Sequence, residues 1–123
     1  MSERTRLIFS EGHFVAIVAG QKLLTLRLYR AGAHDFKKEQ VFYGEFPEGI
    51  SLMLQATADT AFLDARDIPD DTAQEDGYTG GEHAFQDLRK YYPTLVGSST
   101  IAVIRFKIAE IYGEPVIKLT GQD

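Results

Sequence analysis

The feature that most constrains the fold is a change of hydrophobic period at Gly20. Over residues 10–19 the apolar side chains recur at helical spacing, Ser10 is placed to cap the helix, and Gly20 can take the left-handed turn that ends it. Over residues 23–29 apolar and polar residues alternate, as in a strand with one buried face. The sequence therefore predicts a helix that leads directly into a strand. The polar face of that strand carries Thr25, Arg27 and Tyr29.

The rest of the chain alternates short strands with two further helices. The other predicted strands are residues 5–9, 40–43, 51–58, 101–108 and 115–119. Asp70 and Asp71 suit the cap and first turn of a short helix that ends at Gly77. A second helix is predicted from Gly81 to Tyr92, just before Pro93. Five or six strands with two or three helices predict an α+β domain with a small mixed or antiparallel barrel.

Length and composition agree with one domain that spans residues 1–123. The chain has no cysteine, which excludes disulfides and thiolate metal sites. Its three histidines, His13, His34 and His83, lack the close spacing of a metal site, so we predict no metal and no cofactor. No apolar run is long enough for a secretory leader or a membrane span, and we expect a soluble, cytoplasmic protein.

Charge disfavours one class of partner. The net charge is −5, from 13 basic and 18 acidic side chains, and the basic residues are scattered along the chain. Proteins that bind long nucleic acids usually present a basic stripe, because neutralising phosphates supplies much of the affinity. A small nucleoside has no phosphate and needs no such stripe.

The Gly20–Arg27 segment resembles the G-x-K-x-x-T-x-R signature of the ASCH domain, a small barrel related to the PUA fold. Further matches follow in the same order and extend the likeness from about Phe9 to Lys107. These are Phe36-Lys37, Gly44-Glu45-Phe46, Ala56-Thr57-Ala58-Asp59-Thr60, Ala73-Gln74-Glu75-Asp76-Gly77-Tyr78, Leu88-Arg89-Lys90-Tyr91-Tyr92-Pro93 and Val103-Ile104-Arg105-Phe106-Lys107. Within that family the chain is most similar to bacterial N4-acetylcytidine amidohydrolases.

The resemblance implies a PUA-like fold and an enzyme that converts N4-acetylcytidine, a modified nucleoside, to cytidine and acetate. It places the catalytic residues on Lys22, Thr25 and Glu75. Amide hydrolysis needs a nucleophile, a proton acceptor, a donor to the leaving amine and a cation near the oxyanion, and these residue types supply all four. The candidate substrate-binding residues are Arg27, Tyr29 and Tyr78.

Two divisions of labour are open. In the scheme proposed for the family, Lys22 takes the proton of Thr25, which attacks the acyl carbon, and Glu75 protonates the departing amine. A lysine base at neutral pH requires a pKa roughly 2 to 3 units below its ordinary value. If an ionised Glu75 contacts Lys22 instead, the lysine stays charged. Glu75 would then activate a water molecule, while Lys22 and the Thr25 hydroxyl hold the oxyanion.

Plainer alternatives exist for these residues and for the function. Lys22 and Glu75 also fit solvated surface positions, and the tyrosines also fit packing roles. Leu23 stands where similar proteins carry threonine, so it either changes a core contact or enlarges the pocket for acyl groups larger than acetyl. A non-catalytic RNA-binding ASCH module and a ribonuclease are the alternative functions. The sequence leaves the oligomeric state open.

Overall fold

The computed structural model describes residues 6–119, which contain nine β-strands and three α-helices. The strands are β1 (Arg6–Ile8), β2 (Leu24–Leu28), β3 (Val41–Phe46), β4 (Ile50–Ala56), β5 (Ala61–Asp64), β6 (Thr100–Ile108), β7 (Glu110–Ile111), β8 (Glu114–Pro115) and β9 (Ile117–Leu119). The helices are α1 (His13–Val18), α2 (Asp70–Glu75) and α3 (Gly81–Tyr91).

The long strand β6 organises a seven-stranded sheet. Residues 101–105 of β6 pair with β2, residues 106–108 pair with β4, and residues 100–103 also pair with β5. The main strand order is β1-β3-β4-β6-β2, in which β1 and β3 are parallel and the other pairs are antiparallel. The sheet is mixed, curled and half closed, which confirms the predicted α+β class.

Apolar side chains cover both faces of β6, because successive residues of a strand point to opposite sides. One cluster joins β6 to β3, β4 and α1, and the other joins it to β2, α2 and α3. Leu24 and Leu26 lie in the second cluster, as their alternation predicts. Leu24 is fully buried, and burial of one such leucine stabilises a fold by about 1.5–3 kcal/mol. The face that carries Thr25 is thereby on the opposite side of β2 from this second cluster.

The free edge of β2 is closed by the end of α2. Among the described strands β2 pairs only with β6, so its outer backbone groups need other partners. The N–H of Leu23 donates to the Glu75 carbonyl at 2.9 Å, and the N–H of Leu26 donates to the Asp76 carboxylate at 3.2 Å. This docking brings the end of α2 against the strand that carries the candidate site.

Two predicted helix caps are wrong, and one helix end is confirmed. Gly12, with a left-handed φ of 86°, occupies the N-cap of α1, so the helix starts later than predicted and Ser10 does not cap it. Gly20, with a φ of 76°, ends this segment as predicted. The carboxylate of Asp70 accepts the N–H of Gly81 at 2.7 Å, so it holds the start of α3 instead of capping α2.

The sequence pattern missed several short strands. β5 was not predicted, and the predicted strand 115–119 is divided between β8, which pairs with β7, and β9, which pairs with β4. These pairings are non-local or only two residues long, so the local pattern carries little signal for them. The predicted strand that starts at Thr5 is observed over Arg6–Ile8, and Thr5 lies outside the described residues. No helix within residues 6–119 is long and apolar enough to cross a membrane.

Candidate functional site

A cavity of about 320 Å³ opens at the free edge of β2, between β1 and α1 on one side and α3 on the other. This volume lies in the range of small-molecule sites. Its polar lining consists of Ser10, His13, Lys22, Thr25, Arg27 and Asp76. Its aromatic lining consists of Phe9, Tyr78, Tyr91 and Tyr92. The cavity therefore combines flat apolar walls with a small set of charged groups.

Lys22 and Asp76 form a buried ion pair in this cavity. The ammonium donates to Oδ1 of Asp76, and the two side chains are only 3% and 5% exposed. Oδ2 of the same carboxylate accepts the N–H of Leu26. Because both carboxylate oxygens are used, Asp76 is held in one orientation against the strand edge. Removal of either partner would leave a buried charge without compensation.

Two opposing influences act on the Lys22 ammonium. Burial, followed by the nearby Arg27 guanidinium, lowers the pKa of Lys22 to about 7. Contact with the Asp76 carboxylate acts the other way and favours the charged lysine. Because the carboxylate is in direct contact with the ammonium, we expect Lys22 to be charged at neutral pH.

Thr25 and Arg27 lie two residues apart on the same face of β2, and their side chains are joined. The Nε–H of Arg27 donates to the Thr25 hydroxyl oxygen at 3.0 Å, and Thr25 is only 3% exposed. The Arg27 guanidinium lies 4.8 Å from the centre of the Phe9 ring, and Lys22 Nζ lies 5.8 Å from it. Phe9 itself stacks on Phe46 at 5.1 Å. Both cations therefore rest against one fixed aromatic ring.

The structure places Glu75 apart from Lys22, Thr25 and the cavity lining. Its carboxylate accepts a hydrogen bond from Arg105 at 2.6 Å, and both of these side chains are about one-third exposed, at 36% and 35%. Adjacent residues at a helix end point in different directions, so Glu75 and Asp76 cannot both face the same partner. The acid that contacts Lys22 in this structure is therefore Asp76 and not Glu75.

The two candidate tyrosines line different cavities. Tyr78 lines the cavity, and its hydroxyl donates to Asp87 at 2.7 Å. Burial, then the hydrogen bond and charge of Asp87, raises the pKa of Tyr78, so it stays neutral. Tyr29 lines a neighbouring cavity, donates to Asp35 at 2.8 Å and packs edge-on against Phe62.

His13 is a lining residue that the sequence did not single out for this site. Its Nδ1 atom is buried and has no hydrogen-bond partner within residues 6–119. Burial, followed by the charges of Lys22 and Arg27, lowers the pKa of His13 to about 4, so the ring is neutral at pH 7. The residue falls in the first turn of α1, where a helical pattern alone does not mark it as facing a cavity.

Leu23 neither enters the core nor lines the cavity, since its side chain is 49% exposed. The two explanations proposed for it from the sequence are therefore wrong. Within the described part of the chain, no group of three or more histidine or acidic side chains is placed to hold a metal ion.

Comparison of the fold identifies similar solved structures, although no protein-family model and no curated protein matches the sequence. Protein EF3133 from Enterococcus faecalis V583, described as DUF984, superposes with a TM-score of 0.69 at 14% identity over 91% of this chain and 80% of that chain. Two mutant structures of ZmASCH from Zymomonas mobilis are also similar. A tyrosine-to-phenylalanine mutant gives a TM-score of 0.53 at 15% identity over 91% of this chain and 73% of that one. A serine-to-alanine mutant gives a TM-score of 0.51 at 14% identity over 94% of this chain and 73% of that chain.

These similarities concern the fold. They confirm the ASCH, PUA-like architecture that the sequence resemblance implied.

Proposed function

We propose that this chain is an amidohydrolase that removes the N4-acyl group from modified cytidine, with Lys22, Thr25 and Asp76 around the scissile bond. One observation carries the proposal: a buried lysine–carboxylate pair and a guanidinium-bound threonine hydroxyl line the same aromatic-walled cavity. A flat acylated pyrimidine suits aromatic walls, and its amide needs the donors and the base that these residues provide.

Two contacts favour the activated-water scheme over a threonine nucleophile. The carboxylate that touches Lys22 favours its ammonium form, which cannot accept a proton from a hydroxyl. The Thr25 oxygen already accepts a charge-assisted hydrogen bond from Arg27, which weakens it as a nucleophile and leaves its hydrogen free to donate. Lys22 and Thr25 are thus arranged as donors to an oxyanion.

In the proposed reaction Asp76 takes a proton from a water molecule as the water oxygen attacks the acyl carbon. Lys22 and Thr25 donate hydrogen bonds to the oxygen that becomes negative. Collapse of the tetrahedral intermediate breaks the C–N4 bond, and the proton held by Asp76 passes to N4. The products are cytidine and acetic acid, which releases its proton to solvent and becomes acetate. The proton that Asp76 takes from water is thus returned to the amine.

The first test compares two adjacent carboxylates. Asp76→Asn removes the proposed base, and we expect kcat/KM for N4-acetylcytidine to fall by about 10²–10⁴-fold. Glu75→Gln is the matched control and should change kcat/KM by less than about threefold, since its partner is Arg105. Conversion is followed by ultraviolet absorbance at a temperature where circular dichroism shows both variants folded. A large loss in Glu75→Gln alone would return the acid role to Glu75.

The second test separates the two mechanisms. Thr25→Ala removes one donor to the oxyanion but leaves the water nucleophile in place. Loss of one such donor lowers kcat by about 10²–10³-fold in other enzymes, and we expect a similar loss here. Intact-mass spectrometry of wild-type protein quenched during turnover should show no acetyl adduct. An acetyl group on Thr25, together with complete inactivity of Thr25→Ala, would establish the covalent route instead. If no variant and no wild-type protein hydrolyses the substrate, the amidohydrolase proposal fails.

A further inference from the structure

A second cavity of about 400 Å³ adjoins the first and shares Ile8, Arg27 and Tyr92 with it. We propose that this second cavity binds a phosphate group attached to the ribose of the substrate, so that the preferred ligand is a nucleotide and not a free nucleoside. The inference rests on the proposed function for the identity of the base. The assignment of a second site to the phosphate of the ligand goes beyond the proposed function.

The charge of the second cavity supports this assignment. Its lining contains Arg6, Arg27, Arg30 and His34, and no acidic residue. Arg6 is paired with Glu45, whereas neither Arg27 nor Arg30 forms a salt bridge within residues 6–119. A planar guanidinium group binds a phosphate through two parallel N–H···O hydrogen bonds with a defined geometry.

His34 adds a neutral donor to the same wall. Its Nδ1 accepts the backbone N–H of Arg30 at 3.0 Å, which assigns the ring proton to Nε2. His34 is 7% exposed, and within the described residues its Nε2 donates no hydrogen bond. Burial, followed by the charges of Arg27 and Arg30, lowers the pKa of His34, so the ring provides a donor but no charge at pH 7. Asp35 lies one residue further on, but its carboxylate is engaged by Tyr29 and Gly32.

Arg27 connects the two cavities. It donates to Thr25 in the first cavity and also lines the second. A pyrimidine whose N4-acyl group meets Thr25 therefore has its remaining atoms close to the opening of the basic cavity. In the proposed arrangement the base occupies the aromatic first cavity and the ribose phosphate extends into the second.

The test measures binding of the reaction product, so it does not depend on turnover. Isothermal titration calorimetry would compare cytidine with cytidine 5′-monophosphate and cytidine 3′-monophosphate. We expect one monophosphate to bind about 10–100-fold more tightly than cytidine, as charge-assisted hydrogen bonds provide. Arg30→Gln should remove most of that gain and leave cytidine binding unchanged. Lys38→Gln, which removes an exposed charge outside both cavities, is the matched control.

Equal affinity for cytidine and both monophosphates, absence of binding by all three, or a gain that survives Arg30→Gln would overturn the inference. The monophosphate that gains affinity identifies the ribose oxygen that carries the phosphate. The inference and the proposed function fail separately. Arg30-dependent nucleotide binding without hydrolysis of N4-acetylcytidine retains the phosphate site and removes the hydrolase. Hydrolysis of N4-acetylcytidine without any preference for a phosphate retains the hydrolase and removes the phosphate site.

Discussion

Replacement of Asp76 by asparagine tests whether the buried pair with Lys22 is charged. Asparagine keeps the shape and can still accept the N–H of Leu26, but it leaves the lysine without its counter-charge. Burial and Arg27, which both lower the pKa of Lys22, would then act on a buried charge without compensation. Breaking a buried ion pair in this way typically lowers the free energy of unfolding by about 3–5 kcal/mol.

The same variant predicts a definite pH dependence. The unfolded chain holds the Lys22 proton with the ordinary pKa of 10.5, whereas in the folded variant burial and Arg27 act without the opposing carboxylate and hold that pKa lower. Between the two pKa values the unfolded variant binds more protons, so the folded variant gains stability as the pH rises. The difference in free energy of unfolding between wild type and this variant should therefore narrow as the pH rises from 7 to 10.

Urea unfolding of wild type, Asp76→Asn and Glu75→Gln at both pH values measures this difference. Glu75→Gln breaks a half-exposed ion pair with Arg105 and should cost no more than about 1 kcal/mol at either pH. A small cost for Asp76→Asn, or a cost that stays constant between pH 7 and 10, would refute the account of Lys22 as a buried charge held by Asp76.

Three further variants have expected outcomes. Tyr78→Phe removes the hydroxyl that binds Asp87 and should lower the free energy of unfolding by about 1 kcal/mol in denaturation, with kcat almost unchanged. Arg27→Lys loses the Nε–H that donates to Thr25, so kcat/KM should fall at least about tenfold in the absorbance assay, and an unchanged value would remove Arg27 from the site. The pKa of His13 is about 4 in the folded protein and 6.5 in the unfolded chain, so the wild-type protein loses stability as the pH falls from 6.5 to 4. His13→Phe should abolish that part of the loss when unfolding is measured as a function of pH.

Local pattern was sufficient where the local signal was strong. The alternation of residues 23–29 correctly separated the face of Leu24 and Leu26 from that of Thr25 and Arg27, and the glycine at position 20 ended the preceding segment. Strand β5 was missed because its partner β6 is distant in the sequence, and the β7–β8 pairing was missed because two-residue strands carry little periodic signal. The N-cap of α1 was misplaced because Gly12, not Ser10, takes the required backbone conformation.

The sequence by itself determined the α+β class, the strand that carries Thr25 and Arg27 just after Lys22, and the acidic segment at the end of α2. Only the tertiary structure decided which acid of that segment meets the lysine. Glu75 and Asp76 are adjacent and chemically alike, and nothing in their local pattern distinguishes them. The end of α2 docks on the free edge of β2, and this contact turns Asp76 toward Lys22 and Glu75 toward Arg105. The choice depends on a pairing between residues more than fifty positions apart, which no local pattern encodes.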